Sequence, residues 1–192
     1  IAQAELRGDT IPKSMTKADY AEYRFESALA EEDDFDMLVM GRTQGKGCYC
    51  YVNGVLKTLL DKYIGAYRYV VIDNEAGMEH IARGTLPHVD ALLLVSDCSR
   101  RGVQAVARIA EMVRELDLKP GLMKLIINRA PGGVLSDGVR EEIEAHHLEL
   151  AGVLPQDDAV YEADCDGKPS SKIPDASPVK QALHGIMQDL SL

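Results

Sequence analysis

Five short apolar runs punctuate the chain: FDMLVM (Phe35–Met40), YRYVVID (Tyr67–Asp73), ALLLVSD (Ala91–Asp97), LMKLIINR (Leu122–Arg129) and LELAGVLP (Leu148–Pro155). Most are continuous rather than alternating, rich in Val, Ile and Leu, and closed by a polar residue or Pro. A strand buried on both faces has that pattern, as in a parallel sheet sandwiched by helices. Between the runs the apolar positions step by three and four. Val103, Val106, Ala110, Val113 and Leu116 form one helical face, with Ser99 as its N-cap and Pro120–Gly121 as its stop. Val52, Leu56, Leu59, Leu60 and Tyr63 form a second face, and Val139, Ile143 and His147 a third. Val179–Leu190, entered through Pro178, is a fourth helix, and Ala18–Ala30 is predicted helical behind a polar lead.

Strands that alternate with helices need crossover connections. The expected fold is therefore a three-layer α/β domain with a mostly parallel sheet. No internal repeat or low-complexity linker interrupts it, so residues 1–192 read as a single domain, with a helical segment over 1–30 and a core over 31–192. Ligands of such sheets bind outside the carboxyl ends of the strands. The polar strand ends are thus the candidates: Gly41–Cys50, Asp73–Gly77, Asp97–Arg101, Asn128–Gly133 and Pro155–Asp158. The segment DGKPSSKIPD (Asp166–Asp175) reads as a loop.

Charge narrows the partners. The formal net charge is −10, and an acidic surface repels nucleic-acid phosphate and anionic lipid. The basic pair Arg100 and Arg101 is too small to reverse that. No apolar run approaches the roughly 20 residues that span a bilayer, and no signal peptide is visible. The four cysteines are irregularly spaced, which favours free thiols or metal ligands over disulfides and a cytoplasmic location. The expected partners include neither nucleic acid nor membrane.

Two segments carry distinctive chemistry. In YVVIDNEAG an apolar run ends in Asp73, where a carboxylate can serve Mg²⁺ near a phosphate. Gly77, four residues on, can offer a backbone N–H to a terminal phosphate at close range. The plainer alternative is a solvated strand-ending Asp and a turn glycine. In GCYC, Cys48 and Cys50 supply two thiolates, half of a tetrahedral site. A second copy of the chain across a two-fold axis would supply the other half. The alternative is a pair of inert thiols.

The stretch GRTQGKGC, by contrast, fails the phosphate-loop pattern G-x-x-x-x-G-K-[ST], because Gly47 follows Lys46 where a hydroxyl is needed. No other stretch of the chain matches it. At the end of LMKLIINR, Asn128 has an amide that can both donate to and accept from an adenine edge, and ordinary turn chemistry explains it equally well. Pro155 either shapes a base-contacting loop or simply ends a strand. His146 and His147 fall late in a helical pattern and read as surface residues rather than ligands, and His80 and His88 lack ligand-like spacing to Cys or carboxylates.

Taken together, LVMGR before GCYC, VVIDNEAGMEH, IINR and VLPQDDAVYEAD…GKP resemble one family, over roughly Phe35 to the C-terminus. It is the accessory ATPase that assists nickel insertion into carbon monoxide dehydrogenase. That family is a deviant Walker A, P-loop NTPase group, related to the nitrogenase iron protein and the partitioning and septum-positioning ATPases. The resemblance implies a role for Asp73 in the magnesium and hydrolysis machinery, with Gly77 beside it. It implies that Cys48 and Cys50 bind a Zn or Ni ion at a homodimer interface. It implies that Asn128 contacts adenine, with Arg129 beside it, and that Pro155, Gln156 and Asp157 line the base. ATP or ADP with Mg²⁺ would be the nucleotide, and carbon monoxide dehydrogenase or a similar metalloenzyme the client.

The sequence departs from that pattern at two places. The family opens with a strand and a glycine- and lysine-rich phosphate loop, and the chain begins downstream of both. On these residues alone, ATP hydrolysis is expected to be weak or absent, and whether the chain is an enzyme stays open. SDCSRRG also carries Cys98 where related sequences have Pro in D-P-S. The leading expectation is a metallocentre-assembly ATPase, or the part of one that lacks the phosphate loop. Two alternatives stand beside it: a non-catalytic dimeric metal-binding or regulatory module on the same fold, and a partitioning or septum-positioning ATPase.

Overall fold

The structure is a computed structural model that describes residues 12, 14–39, 62–74 and 89–192. The chain divides into two compact units, Ile1–Pro87 and His88–Leu192, and each is described by itself.

In the first unit, helix α1 (Lys17–Glu26) starts with a capping box. Asp19 N donates to Thr16 Oγ1 at 3.2 Å, and Thr16 N donates back to Asp19 Oδ2 at 3.1 Å. The helix ends at Glu26, short of the predicted Ala30, and Leu29–Glu31 forms strand β1 instead. Strand β2 (Asp36–Leu38) pairs antiparallel with β1, in the register Leu29↔Leu38. FDMLVM, expected in the parallel sheet, contributes these three residues to an antiparallel pair. Phe25 stacks on Tyr63 with ring centroids 5.2 Å apart, and Tyr63 donates its hydroxyl to Glu26 at 2.7 Å.

The predicted strand YRYVVID is not a strand. Residues 67–74 have no regular structure and are exposed, Val71 to 91%. Apolar residues form a strand only where a neighbouring backbone pairs with them, and among the described residues none does so here. The predicted helical face from Val52 to Leu60 lies outside the described residues.

The second unit holds the expected sandwich. Strands β3 (Ala91–Asp97), β4 (Leu122–Ala130) and β5 (Leu150–Pro155) run parallel in the order β3-β4-β5. Helix α2 (Arg100–Glu115) leaves β3, and α3 (Asp137–Ala145) leads into β5. Helix α4 (Asp158–Cys165), for which the sequence pattern predicts no element, follows β5, and α5 (Pro178–Asp189) comes next.

Alternation along β4 separates the layers. Leu125 and Ile127 are fully buried in one cluster with Val103, Ala107 and Ala110 of α2 and Val139 and Ile143 of α3. Ile126 points to the other face, where its partner Gly152 packs against Ile186 of α5. A Cβ at Gly152 would overlap Ile186 Cγ1 and lie 2.5 Å from Cδ1, so the helix and the sheet touch there because the side chain is absent.

Ser99 caps α2 as predicted, its hydroxyl accepting from Gly102 N at 3.0 Å. Leu116, placed on the helical face, is instead the half-exposed C-cap. His147, also placed on a helical face, lies beyond α3 at φ 51° and is exposed.

Candidate functional site

The carboxyl edge of the second unit's sheet gathers the predicted residues. Asp97 at the end of β3 is in register with Asn128 of β4, and Ala130 of β4 with Pro155 of β5. Gln156 N donates to Ala130 O at 2.9 Å, which ties the segment after β5 to the end of β4.

The end of β4 carries a bulge. Ile127 pairs with Val153 and Ala130 with Pro155, so three steps along β4 match two along β5. The extra residue falls at Asn128–Arg129, and Arg129 takes up the turn with φ 58°, a left-handed conformation that costs about 1–3 kcal/mol outside glycine. Asn128 is half-buried and its Oδ1 accepts from Arg129 N at 2.9 Å. No hydrogen bond among the described residues uses its NH₂ group. Arg129 is exposed, and its carbonyl accepts from Cys98 Sγ at 3.5 Å.

Asp97 is bound into its own loop. Its Oδ1 accepts from Ser99 Oγ at 2.6 Å and from Ser99 N at 2.9 Å. The hydroxyl, then the amide, hold the carboxyl below the usual carboxylate range. Gly102 makes this possible: a Cβ there would overlap Asp97 Oδ1 and lie 2.6 Å from Ser96 Oγ.

Asp157, two residues past β5, caps α4 by accepting from Ala159 N at 2.9 Å through Oδ1. Its Oδ2 accepts from Ser177 Oγ at 2.5 Å and from Val179 N at 3.3 Å. The Ser177 hydroxyl first, then the two amides, pull its carboxyl below its ordinary value.

The sequence reading missed Glu142. This buried carboxylate on α3 accepts from Arg100 Nε at 3.0 Å and from Gln104 Nε2 at 2.8 Å, and it ion-pairs with Arg100 Nη2 at 2.8 Å. His146 Nε2 lies 3.2 Å away. Gln104, then Arg100, depress its pKa. Arg100 is the first residue of α2, so Glu142 fixes the helix that begins at the Asp97 loop. The only hint in the sequence was Arg100, which read as part of a weak basic pair.

The remaining predicted residues do not belong to the described part of the second unit. Asp73 belongs to the first unit, exposed and in irregular backbone. Gly77, Cys48 and Cys50 lie outside the described residues. Cys98 is half-buried and Cys165 exposed, both as free thiols. Among the described residues no group of three or more His, Cys, Asp or Glu is placed to hold a metal ion. Nor is any helix there long and apolar enough to cross a membrane.

No protein-family model matches the chain. It is 35% identical over 184 residues to an uncharacterised ATP-binding protein of Methanocaldococcus jannaschii, a match that covers 95% of this chain and 72% of that protein. It is 32% identical over 147 residues to the carbon monoxide dehydrogenase accessory protein CooC of Rhodospirillum rubrum, covering 74% and 54%. The chain thus spans between about half and three quarters of the length of these relatives.

Among solved structures, the MinD cell division protein of Aquifex aeolicus superposes with a TM-score of 0.66 at 19% identity, over 98% of this chain and 79% of that one. MinD of Pyrococcus horikoshii complexed with Mg-ADP superposes with a TM-score of 0.65 at 16% identity, over 97% and 77%. These structures share the α/β fold with a parallel sheet. They show the fold; the sequence relatives show the family, and the chain belongs to the CooC-like P-loop ATPases.

Proposed function

We propose that the protein is a metallocentre-assembly ATPase that binds Mg-ATP and couples its hydrolysis to nickel insertion into carbon monoxide dehydrogenase or a similar metalloenzyme. The observation that carries the reading is the common edge of Asn128 and Pro155–Asp157. Its bulge presents a half-buried amide whose NH₂ group is not used within the described residues. Such an amide suits an adenine edge. Arg129, Pro155, Gln156 and Asp157 line the base beside it. The similarity to the CooC accessory protein supports the metal-delivery role.

Asp73 offers an exposed hard oxygen donor, which fits Mg²⁺. Mg²⁺ there would neutralise charge on the phosphates, and Gly77 would donate its backbone N–H to the terminal phosphate. The cargo ion, nickel or zinc, suits soft thiolates. Cys48 and Cys50 of two copies supply four such ligands, so the working unit is a homodimer.

ATP titration of the complete protein tests the nucleotide site. The reading predicts saturable, magnesium-dependent phosphate release. It also predicts that Asn128→Ala raises the ATP KM about three- to tenfold, as expected for one or two lost hydrogen bonds. No saturable binding, or an unchanged KM in Asn128→Ala, contradicts it.

A further inference from the structure

Asp157 stands at the site, yet its carboxylate is fully engaged elsewhere. Oδ1 accepts the α4 amide of Ala159, while Oδ2 accepts the Ser177 hydroxyl and the α5 amide of Val179. One carboxylate therefore caps two helices that begin twenty residues apart in sequence. Ser177 is the formal N-cap of α5, but its side chain makes no cap hydrogen bond to its own helix. It is turned onto Asp157 instead, and is buried to 6% exposure. Helix α5 is in turn fixed to β5 by Ile186 against Gly152.

The loop between the helices is held to the same point. Ile173 is buried. Lys180, in the first turn of α5, donates to the carbonyls of Ser171 and Ile173 and to Asp175 Oδ1. From Asp157 the geometry runs back to the site without a gap: Gln156 N is bonded to Ala130 O, two residues after Asn128.

We infer that Ser177 and Asp157 are positioning residues for nucleotide recognition, acting as a latch between α5 and the base-contacting segment Pro155–Gln156. The latch sets where that segment lies relative to Asn128. Contact with the base then falls to Asn128 and to the backbone of 155–156, while the Asp157 carboxylate acts through its two helix caps. This rests on the base-site reading above and assigns a part to the C-terminal helix, which that reading leaves idle. The ligand class is a purine nucleoside triphosphate whose base edge must meet Asn128, so a displaced segment weakens binding and blurs the choice between adenine and guanine.

The test uses the complete protein with ATP and GTP as probes, and the variants Ser177→Ala, Ser177→Thr and Asn128→Ala. Ser177→Ala removes one donor and leaves the Asp157 cap on α4 in place. The latch predicts an ATP KM raised about three- to tenfold with kcat at saturation held within twofold, and a narrower ATP-over-GTP preference. Ser177→Thr, which keeps the hydroxyl, restores the ATP KM. A merely structural role moves the melting temperature of Ser177→Ala and leaves the KM and the base preference unchanged. That result overturns the latch when Asn128→Ala still raises the KM. If Asn128→Ala is also without effect, the base-site reading falls and the latch falls with it.

Discussion

Gly102→Ala separates this local geometry from ordinary helix behaviour. Gly102 lies in the first turn of α2, where exchanging Gly for Ala normally stabilises by up to about 1 kcal/mol. Here the new methyl would overlap Asp97 Oδ1 and lie 2.6 Å from Ser96 Oγ. Asp97 cannot simply rotate, because Ser99 N and Oγ both bond that oxygen. Forcing a methyl into a filled site costs about 1–3 kcal/mol. Release of Asp97 from Ser99 adds to that cost, so the expected net loss is about 1–2 kcal/mol. For a chain of this length that lowers the melting temperature by about 3–6 °C. Differential scanning calorimetry of Gly102→Ala, Asp97→Ala and the double variant measures it. With the Asp97 side chain gone, the methyl still meets Ser96 Oγ but its cost should shrink, a non-additivity that marks direct contact with Asp97. A rise in melting temperature for Gly102→Ala alone, or the same loss with and without Asp97, refutes the reasoning.

Further outcomes follow from the packing and the charges. Ile127 is fully buried in the core of the second unit, and Ile127→Ala should cost about 2–5 kcal/mol in denaturant unfolding. Gly152→Ala should destabilise by about 1–3 kcal/mol through its overlap with Ile186, and Ile186→Val should recover part of that loss. Glu142 has a depressed folded pKa, so the stability it contributes is complete above its unfolded value, about 4.3, and is lost as pH falls through the folded value. Acid unfolding followed by circular dichroism should therefore be shallower below pH ~4 in Glu142→Gln than in the parent protein.

The second unit was legible because its strands are covered on both faces. Continuous apolarity marks such a strand, and β4, with Leu125, Ile126 and Ile127 all buried, is the clearest example. Ser99 was legible as a cap because a hydroxyl directly before a periodic helix has few other uses. The same apolar signal misled at Tyr67–Asp73, where composition resembles a core strand but no described neighbour pairs with the backbone. Helix α4 was hidden because its residues are exposed or half-buried, so no periodic apolar face announces it. Within the site, the edge positions Asn128 and Pro155–Asp157 were readable as polar strand ends. The bulge at Asn128–Arg129, the Glu142 node and the Ser177–Asp157 tie were not. Each depends on partners that come together only after the chain has folded, at separations of 42 residues for Arg100–Glu142 and 20 for Asp157–Ser177.

The proposed role turns on a metal ion shared through Cys48 and Cys50. The most direct measurement is metal content per chain together with solution mass, for the complete protein and for the Cys48→Ser/Cys50→Ser double variant. A shared four-thiolate site predicts one nickel or zinc ion for every two chains in the parent protein, and loss of both the ion and the dimer in the variant. Unchanged metal stoichiometry with an intact dimer in the variant contradicts it.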